Sequence, residues 1–279
     1  MATYNVLWYT GGAGLDPFFS RDGSSGTAAY KSYVAALVVQ ALAFTGNTWN
    51  VTFWDAGAIP AGSFDCLVIV SNAGSLAPLP SYTALSNAIA GGLTFNPSTD
   101  RVLLCGEDAD WHYMNEAFIA PHIDTTQFDS PTGFLINAIN YISGGTTMGL
   151  LAPTFSAVSL FGFTGFTEND AVSSNNITFP TPNAISAILD LNLNPSGVNT
   201  GMSNWVDSAH SEFTGLSSSW LPIQLNGDTT NACYLASTSP TSTPPDLLIS
   251  FKGVKRIVKG SQEDICSPVP EGVRKRRAM

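Results

Sequence analysis

The chain has 279 residues, of which 44% are hydrophobic and only 11% are charged, against about 25% charged residues in an average globular protein. A chain of this length can bury roughly three quarters of its unfolded surface, so it can fold without disulfides or a metal. Its apolar residues recur periodically, which excludes intrinsic disorder. We therefore expect a globular protein with a largely neutral, polar surface. Such a surface suits a protein outside the cytoplasm or inside an assembly.

The net charge of −10 is unevenly distributed. Eight of the 11 Lys and Arg residues lie in the last thirty positions, together with only three of the 21 acidic residues. The acidic body should repel nucleic acid and anionic membranes. The basic tail includes Arg274, Lys275, Arg276 and Arg277. We expect it to contact the acidic body of its own chain or of a neighbouring subunit; a bound polyanion and a solvated end are the alternatives.

The N-terminal residues Met1–Val6 show no basic segment followed by a long apolar one, so no signal peptide is predicted. The longest apolar stretch, Tyr33–Phe44, is shorter than the roughly 18 residues of a membrane span and is predicted to be amphipathic. The four cysteines have no metal-binding spacing. Cys66 and Cys105 are predicted to be buried in strands, whereas a disulfide between Cys233 and Cys266 is left open.

The first half of the chain alternates strand-like and helix-like segments. Strands are predicted at Tyr4–Thr10, Trp49–Asp55, Asp65–Ser71, Val102–Cys105 and Met148–Ala152, and helices at Thr27–Phe44, Ser81–Ala90 and Thr132–Ser143. This alternation predicts an α/β fold, with a parallel sheet covered by helices on both faces. Right-handed crossovers favour a flavodoxin-like strand order.

From Pro153 onward the periodicity weakens and a β-rich C-terminal half is predicted. Short strands are expected at Val158–Phe166, Ile177–Phe179, Leu221–Leu225, Cys233–Ala236 and Leu247–Phe251, and a helix or turn at Ser203–Phe213. No linker separates the two halves, so we predict one α/β domain over residues 1–258 and a basic tail over residues 259–279.

The segment richest in candidate functional side chains follows the predicted strand Val102–Cys105. Within six residues it contains Glu107, Asp108, Asp110 and His112. Ligands of open α/β sheets bind at the carboxyl ends of the strands. In an extended chain Asp108, Asp110 and His112 would project on one side. Such a set suits a divalent cation or an acid–base pair. Alternatively, the two aspartates cap the loop and the following helical turn.

Two further candidate sites are weaker. His122 and His210 could join His112 at a zinc ion, but their spacing does not require it, and a buried hydrogen bond beside Trp205 is the preferred role of His210. The Gly11–Gly14 loop could hold a phosphate at a helix N-terminus. Because it lacks a complete phosphate-binding pattern, a plain turn is the preferred interpretation.

Three segments carry a resemblance to a known family: Val6–Gly12, Phe64–Val70 and Val102–His112. In them the chain resembles the class I glutamine amidotransferase-like superfamily, and within it the ThuA-like branch. It is most similar to uncharacterised secreted bacterial proteins with a Gly-x-Asp-x-Asp-x-His-Tyr element, here Gly106–Tyr113, followed by segments like Phe134–Asn140 and Trp205–His210.

The resemblance implies a nucleophilic cysteine on a tight strand-to-helix turn, with small residues two positions to either side. Cys105 occupies about that place, but its neighbours at those positions are Leu103 and Glu107. A nearby carboxylate would also raise the pKa of the thiol, which opposes thiolate formation. Cys105 is therefore predicted to be an inert buried thiol, and Cys105 and His112 are only weak catalytic candidates.

Two hypotheses follow. In the first, the protein is a non-catalytic structural protein of an extracellular or virion (phage particle) assembly, which associates through the basic tail and has no cofactor. In the second, it is a hydrolase or carbohydrate-binding protein that uses the Glu107–His112 loop, with a divalent metal as an optional partner. Neither involves a membrane, and the acidic body is not expected to bind nucleic acid.

Overall fold

The structure of the chain is a computed structural model. It describes residues 1–18, 20–71, 77–106, 108–115, 130–161, 163, 166–172, 177–178, 185, 209–229, 231–238, 250–251 and 254–255. The chain divides into two compact units, Met1–Thr241 and Ser242–Met279. The predicted boundary at residue 258 stays a prediction, because residues 256–279 lie outside the described residues.

The first half of the larger unit alternates strands with helices. Its elements are β1 (Thr3–Tyr9), α1 (Gly26–Thr45), β2 (Thr48–Trp54), β3 (Cys66–Ile69), α2 (Thr83–Ala90), β4 (Val102–Cys105), α3 (Ala109–Asn115), α4 (Ser130–Ser143), β5 (Gly149–Pro153) and α5 (Thr154–Phe161). These bounds agree with the predicted segments to within three residues, except that α3 and α5 were not predicted.

The described elements after α5 are strands. They are β6 (Phe166–Val172), β7 (Ile177–Thr178), β8 (Ala209–Phe213), β9 (Trp220–Asn226) and β10 (Ala232–Ser237), and in the smaller unit β11 (Ser250–Phe251) and β12 (Val254–Lys255). Two predictions were wrong here. The segment from Val158 begins inside helix α5, and the end of Ser203–Phe213 is strand β8.

The described part of the larger unit contains one mixed sheet. Five parallel strands stand in the order β2-β1-β3-β5-β4. The flavodoxin-like order would place β4 before β5, so the predicted order is wrong at this exchange. On the other side of β4 the sheet continues through β10, β8 and β6, which pair antiparallel. Strand β4 therefore lies inside the sheet, between a parallel and an antiparallel neighbour.

Helices cover both faces of the parallel strands. Since successive side chains of a strand point to opposite faces, neighbouring residues of one strand pack against different helices. Val6 and Trp8 of β1 belong to the core cluster that includes α1, α3 and α4. Leu7 and Tyr9 belong to the opposite cluster, which includes α2 and α5. All four residues of β4 are buried. The α/β class is thus confirmed.

Helix α1 is apolar on more than its inner side. Tyr30, Val34, Leu37 and Ala41 are buried in the core. The exposed positions of the helix are uncharged; they are Ala28, Ser32, Ala35, Ala36, Val39, Leu42 and Ala43. The predicted amphipathic character is therefore wrong. By length and mean hydropathy (1.2) α1 is able to cross a membrane, a property that core helices of soluble proteins share.

Arg101, just before β4, is buried and binds the C-terminal end of α4. Its Nη1 donates a hydrogen bond of 2.7 Å to the main-chain oxygen of Tyr141. Its guanidinium carbon lies 4.8 Å from the centre of the Tyr141 ring. A cation at a helix C-terminus stabilises the carbonyl groups that the helix leaves without partners.

We expect Arg101→Met to destabilise the protein by about 2 kcal/mol, since a buried carbonyl loses a hydrogen bond from a charged donor. Urea unfolding measures this change. The matched control is Lys31→Met, which breaks the partly exposed ion pair of Lys31 with Asp55 and should cost less than about 1 kcal/mol. Equal losses in the two variants would contradict this role of Arg101.

Candidate functional site

The carboxyl end of β4 is followed by Gly106 and Asp108, the described residues before helix α3, and we call these two residues the elbow. Asp108 has φ +44°, and it is the one non-glycine residue with positive φ in the described part of the chain. Aspartate tolerates this left-handed conformation better than most residues do. The residue with positive φ between β4 and α3 is thus Asp108 and not Cys105.

Gly106 lets the elbow fit between β8 and β10. Its N–H donates to the carbonyl oxygen of Cys233 at 2.9 Å. A Cβ atom at this position would lie 2.2 Å from the carbonyl oxygen of Ser211 and 3.0 Å from that of Cys233. A residue without a side chain is therefore required two positions before Asp108.

Asp110, in the first turn of α3, is the centre of a buried hydrogen-bond network. Its Oδ2 accepts a hydrogen bond from the Tyr30 hydroxyl at 2.9 Å and another from the main-chain N–H of Ser71 at 3.2 Å. Tyr30 in turn accepts from Nε1 of Trp8 at 3.2 Å. The network therefore joins α3 to β1, to α1 and to the end of β3.

The direction of these hydrogen bonds follows from the donors. An indole N–H can only donate, so the Tyr30 oxygen accepts from Trp8 and directs its own hydrogen to Asp110. Oδ2 of Asp110 thus receives two donors.

Burial raises the pKa of Asp110 above its ordinary value of 3.8, and hydrogen bonds from Ser71 and Tyr30 offset only part of that effect. The pKa of Tyr30 is also well above its usual value, because the phenol is buried and lies beside the Asp110 carboxylate. Tyr30 therefore remains a hydrogen-bond donor when Asp110 ionises.

A small cavity lies at the elbow, at the carboxyl ends of β3, β4 and β5. Asp108, Asp110, Ser71 and Cys105 contribute to its wall, with Phe134 and Leu135 of α4 among its apolar residues. Asp108 is 6% exposed and Asp110 is 7% exposed. The cavity volume of about 20 Å³ holds about one water molecule.

The predicted alignment of Asp108, Asp110 and His112 on one side is wrong, because α3 is helical. Residues two apart on a helix point in nearly opposite directions, whereas residues four apart share a face. His112 is 97% buried, with its ring 4.8 Å from that of Trp111 in an edge contact. It thus shares a face with Asp108 and not with Asp110.

Several predicted site residues cannot be placed. Glu107, His122, Cys266 and the tail residues Arg274, Lys275, Arg276 and Arg277 lie outside the described residues, as does the side chain of His210. In the parts of the chain that are described, no group of three or more His, Cys, Asp or Glu side chains is suited to a metal ion.

Cys105 is the last residue of β4 and pairs with Pro153 and Tyr234 on the two neighbouring strands. It lies three residues before Asp108, inside regular sheet, so it does not occupy the elbow position of a nucleophile. Cys66 is buried as well, and burial raises the pKa of its thiol to about 12.

The Gly11–Gly14 loop forms a turn whose N–H groups bind the protein itself. Gly12 donates to Oγ1 of Thr10, Ala13 to the Thr10 oxygen and Gly14 to the Pro78 oxygen. This arrangement agrees with the plain turn that was preferred over a phosphate site. Beside it, Asp55 accepts hydrogen bonds of 2.5 Å from Thr10 and from Lys31.

Arg21 fixes the C-terminal end of α3. Its guanidinium donates to the main-chain oxygen of Tyr113, and its N–H donates to that of Met114 at 3.1 Å. The guanidinium carbon also lies 4.9 Å from the centre of the Tyr113 ring. The loop before α1 therefore holds α3 at the end opposite to the elbow.

The sequence predicted the two aspartates but not their partners. Nothing in the helical spacing of Tyr30 indicates a hydrogen bond to a residue 80 positions away. The elbow did have a signal, namely a glycine two residues before Asp108 and an alanine directly after it.

Comparison of the chain with protein-family models, with curated proteins and with solved structures finds no match. The resemblance to the amidotransferase-like superfamily therefore stays a prediction.

We expect Gly106→Ala to destabilise the protein by about 1–3 kcal/mol, because the added methyl group forces β4 away from the Ser211 carbonyl. Unfolding in urea measures the change. Gly133→Ala in α4 is the matched control: its Cβ would meet nothing within 4 Å, so the higher helix propensity of alanine should leave stability unchanged or raise it by up to about 1 kcal/mol. An unchanged free energy of unfolding in Gly106→Ala would contradict the close approach of Gly106 to the Ser211 carbonyl.

The raised pKa of Asp110 makes stability depend on pH. The native state holds this proton more tightly than the unfolded state, so the stabilisation is complete below pH 3.8 and is lost as the pH rises through the native pKa. Asp110→Asn keeps an oxygen acceptor for Tyr30 and cannot ionise. Relative to this variant, the wild type should lose stability as the pH rises from 3.8, measured by urea unfolding at a series of pH values.

Asp22→Asn provides a control of opposite sign. Hydrogen bonds from Ser24 hold the pKa of Asp22 below 3.8, so the wild type should gain stability relative to Asp22→Asn as the pH rises toward 3.8. A parallel pH dependence of the Asp110 and Asp22 variants would contradict the assignment.

Proposed function

We propose that the main role of this protein is structural, as a subunit of an extracellular or virion assembly built on an amidotransferase-like fold. The observation that carries the proposal is the uncharged outer surface of α1, the seven exposed positions named above. Val39 is 67% exposed and Leu42 is 49% exposed. Exposed apolar patches of soluble proteins commonly mark interaction sites.

The composition supports the same role. Only 11% of the residues are charged, so a large part of the surface can be buried against neighbours at little desolvation cost. The basic residues near the C-terminus are matched by an acidic body, which favours contacts between subunits. Cys105 lies inside a regular strand, so this role requires no cysteine chemistry.

A second candidate function, a hydrolase or carbohydrate-binding protein, is favoured by the cavity at the carboxyl edge of the sheet, whose wall includes Asp108 and Asp110. This is the place where α/β proteins bind ligands. The two functions use different parts of the molecule, so one does not exclude the other.

We expect the full chain to sediment as an assembly at low salt, and the double variant Val39→Glu, Leu42→Glu to dissociate. Leaving two charged groups in a formerly apolar contact should lower the association constant on the order of 100-fold or more, since each buried side chain of this size contributes about 1.5–3 kcal/mol. Sedimentation velocity measures the mass of the particle.

Leu79→Glu is the matched control, because Leu79 is 65% exposed but lies in the loop before α2. This variant should assemble like the wild type. A chain lacking residues 259–279 measures how much the basic tail contributes to association. This contribution should decrease as salt is added. A wild-type chain that is monomeric at low salt and high concentration would overturn the structural proposal.

A further inference from the structure

We propose that two copies of this chain pair through strand β2, antiparallel and about a two-fold axis at Val51, so that their sheets join into one. The inference rests on the structural role proposed above and names the partner, a second copy, and the surface that it contacts. Among the described residues of the larger unit, β2 is the last strand of the sheet and pairs with β1 alone. Such an edge is a template for a further strand.

The hydrogen bonds to β1 show which residues of β2 face outward. Thr48 donates its N–H to the Ala2 oxygen, and the Trp54 oxygen accepts from the N–H of Thr10. Backbone groups of successive residues in a strand point to opposite sides, so the residues between Thr48 and Trp54 alternate between β1 and the outer edge. The residues that direct their N–H and C=O groups outward are Trp49, Val51 and Phe53.

These three residues are evenly spaced about Val51, so the edge is complementary to itself. In two antiparallel strands related by a two-fold axis at Val51, this residue lies opposite the partner's Val51, and Trp49 lies opposite the partner's Phe53. Opposite residues of this kind exchange both of their N–H···O bonds, so the three pairs make about six hydrogen bonds. All the outward backbone groups of the strand are thereby satisfied.

The sequence of β2 does nothing to protect this edge. Soluble proteins commonly block edge strands with a charged side chain, a proline or a bulge. The strand Thr48–Trp54 contains no charged residue and no proline, and its register with β1 is regular throughout. Six of its seven residues are Trp, Thr, Val or Phe, which favour strands. The strand is therefore suited to pairing on its outer side.

Contacts of helix α1 show which of its sides faces this edge. Tyr33 packs edge-on against Tyr113 of α3, and the Tyr113 hydroxyl donates a hydrogen bond of 3.2 Å to Oε1 of Gln40. Lys31 contacts β2 instead, with its Nζ 5.1 Å from the centre of the Phe53 ring. The side of α1 that carries Lys31 therefore faces β2 and points away from α3.

The same side of α1 is apolar beyond Lys31. Ala35, Val38 and Leu42 follow Lys31 by four, seven and eleven positions, spacings that keep residues on one side of a helix. Leu42 is 49% exposed. A two-fold axis at the joined edges leaves the α1 helices of both copies on the same face of the sheet, so these sides face each other and cover their apolar groups.

Charge favours a second copy as the occupant of this surface. The body of the chain is acidic, so most of its surface repels a second copy. In α1 and β2 the one charged residue is Lys31, and it forms an ion pair with Asp55. Two copies that approach along these elements therefore bring no unpaired like charges together.

The full-length double variant Asn50→Cys, Thr52→Cys tests the register. In the proposed pairing, position 50 of one copy lies opposite position 52 of the other. Opposite residues between the hydrogen-bonded pairs have Cα atoms about 4.5 Å apart, within the range of about 4.4–6.8 Å that a disulfide spans. With oxidised glutathione we expect a covalent dimer on non-reducing electrophoresis, and peptide mass spectrometry should locate the disulfide between positions 50 and 52.

The single variants Asn50→Cys and Thr52→Cys are the matched controls. Equal positions of the two copies are offset by two residues along the strands, so their Cα atoms are roughly 8 Å apart, too far for a disulfide. Each single variant should therefore form the covalent dimer at least about 10-fold more slowly than the double variant. Equal rates, or a disulfide to Cys266 of the tail instead, would overturn the pairing.

Val51→Pro tests the hydrogen bonds at the axis, because proline removes the outward N–H of position 51 from both copies. The association constant from sedimentation velocity should fall on the order of 10-fold or more, whereas Val51→Thr keeps the N–H and should associate like the wild type. The disulfide decides the question if Val51→Pro does not fold.

The outcomes separate this inference from the structural role. If Val39→Glu, Leu42→Glu dissociates the particle but the double cysteine variant forms no disulfide between positions 50 and 52, the structural role stands and the pairing through β2 is overturned. A wild-type chain that is monomeric overturns both.

Discussion

The buried carboxyl group of Asp110 is the constraint on which the arrangement around β4 depends. A buried carboxyl group is stable only where donors replace its lost water. Here the donors come from distant parts of the chain, Tyr30 of α1 and the main chain of Ser71 after β3. Satisfying one carboxyl oxygen therefore fixes the position of α3 relative to two other elements, and with it the direction in which the chain leaves the elbow.

Each of the three positively charged residues of the acidic body binds at the end of a helix or a strand. Arg21 holds the end of α3 and Arg101 holds the end of α4. Lys31 binds Asp55 at the carboxyl end of β2. A body with so few positive groups uses each of them to stabilise a helix end or a strand end.

The parts of the fold that could be predicted are those that depend on local pattern. Strand β4 was predicted with its observed bounds, because a strand covered on both faces must be apolar throughout. The exchange of β4 and β5 could not be predicted, since both strands are apolar and local pattern does not distinguish their places in the sheet. Alternation of Asp108, Asp110 and His112 suggested an extended chain, but the burial of Tyr113 and Met114 favours a helix there.

For the candidate site, too, local sequence pattern predicts only part of the arrangement. The resemblance directed attention to Cys105, the residue type that the superfamily uses, whereas the strained position is defined by backbone geometry and falls on Asp108. Gly106 indicated the turn, because only a residue without a side chain fits beside the Ser211 carbonyl. The partner of Asp110 lies 80 residues away, and no local pattern encodes such a contact.

Helix α1 belongs to both proposed functions, but through opposite sides. Its inner side carries Tyr30, which donates a hydrogen bond to Asp110, and its outer side carries Val39 and Leu42. Nine residues separate Tyr30 from Val39, which is about 13 Å along a helix axis. A change on the outer side therefore leaves the hydrogen bond to Asp110 in place. A subunit that buried this outer side in an assembly would retain the cavity at the elbow, so the two proposed functions are compatible in one chain.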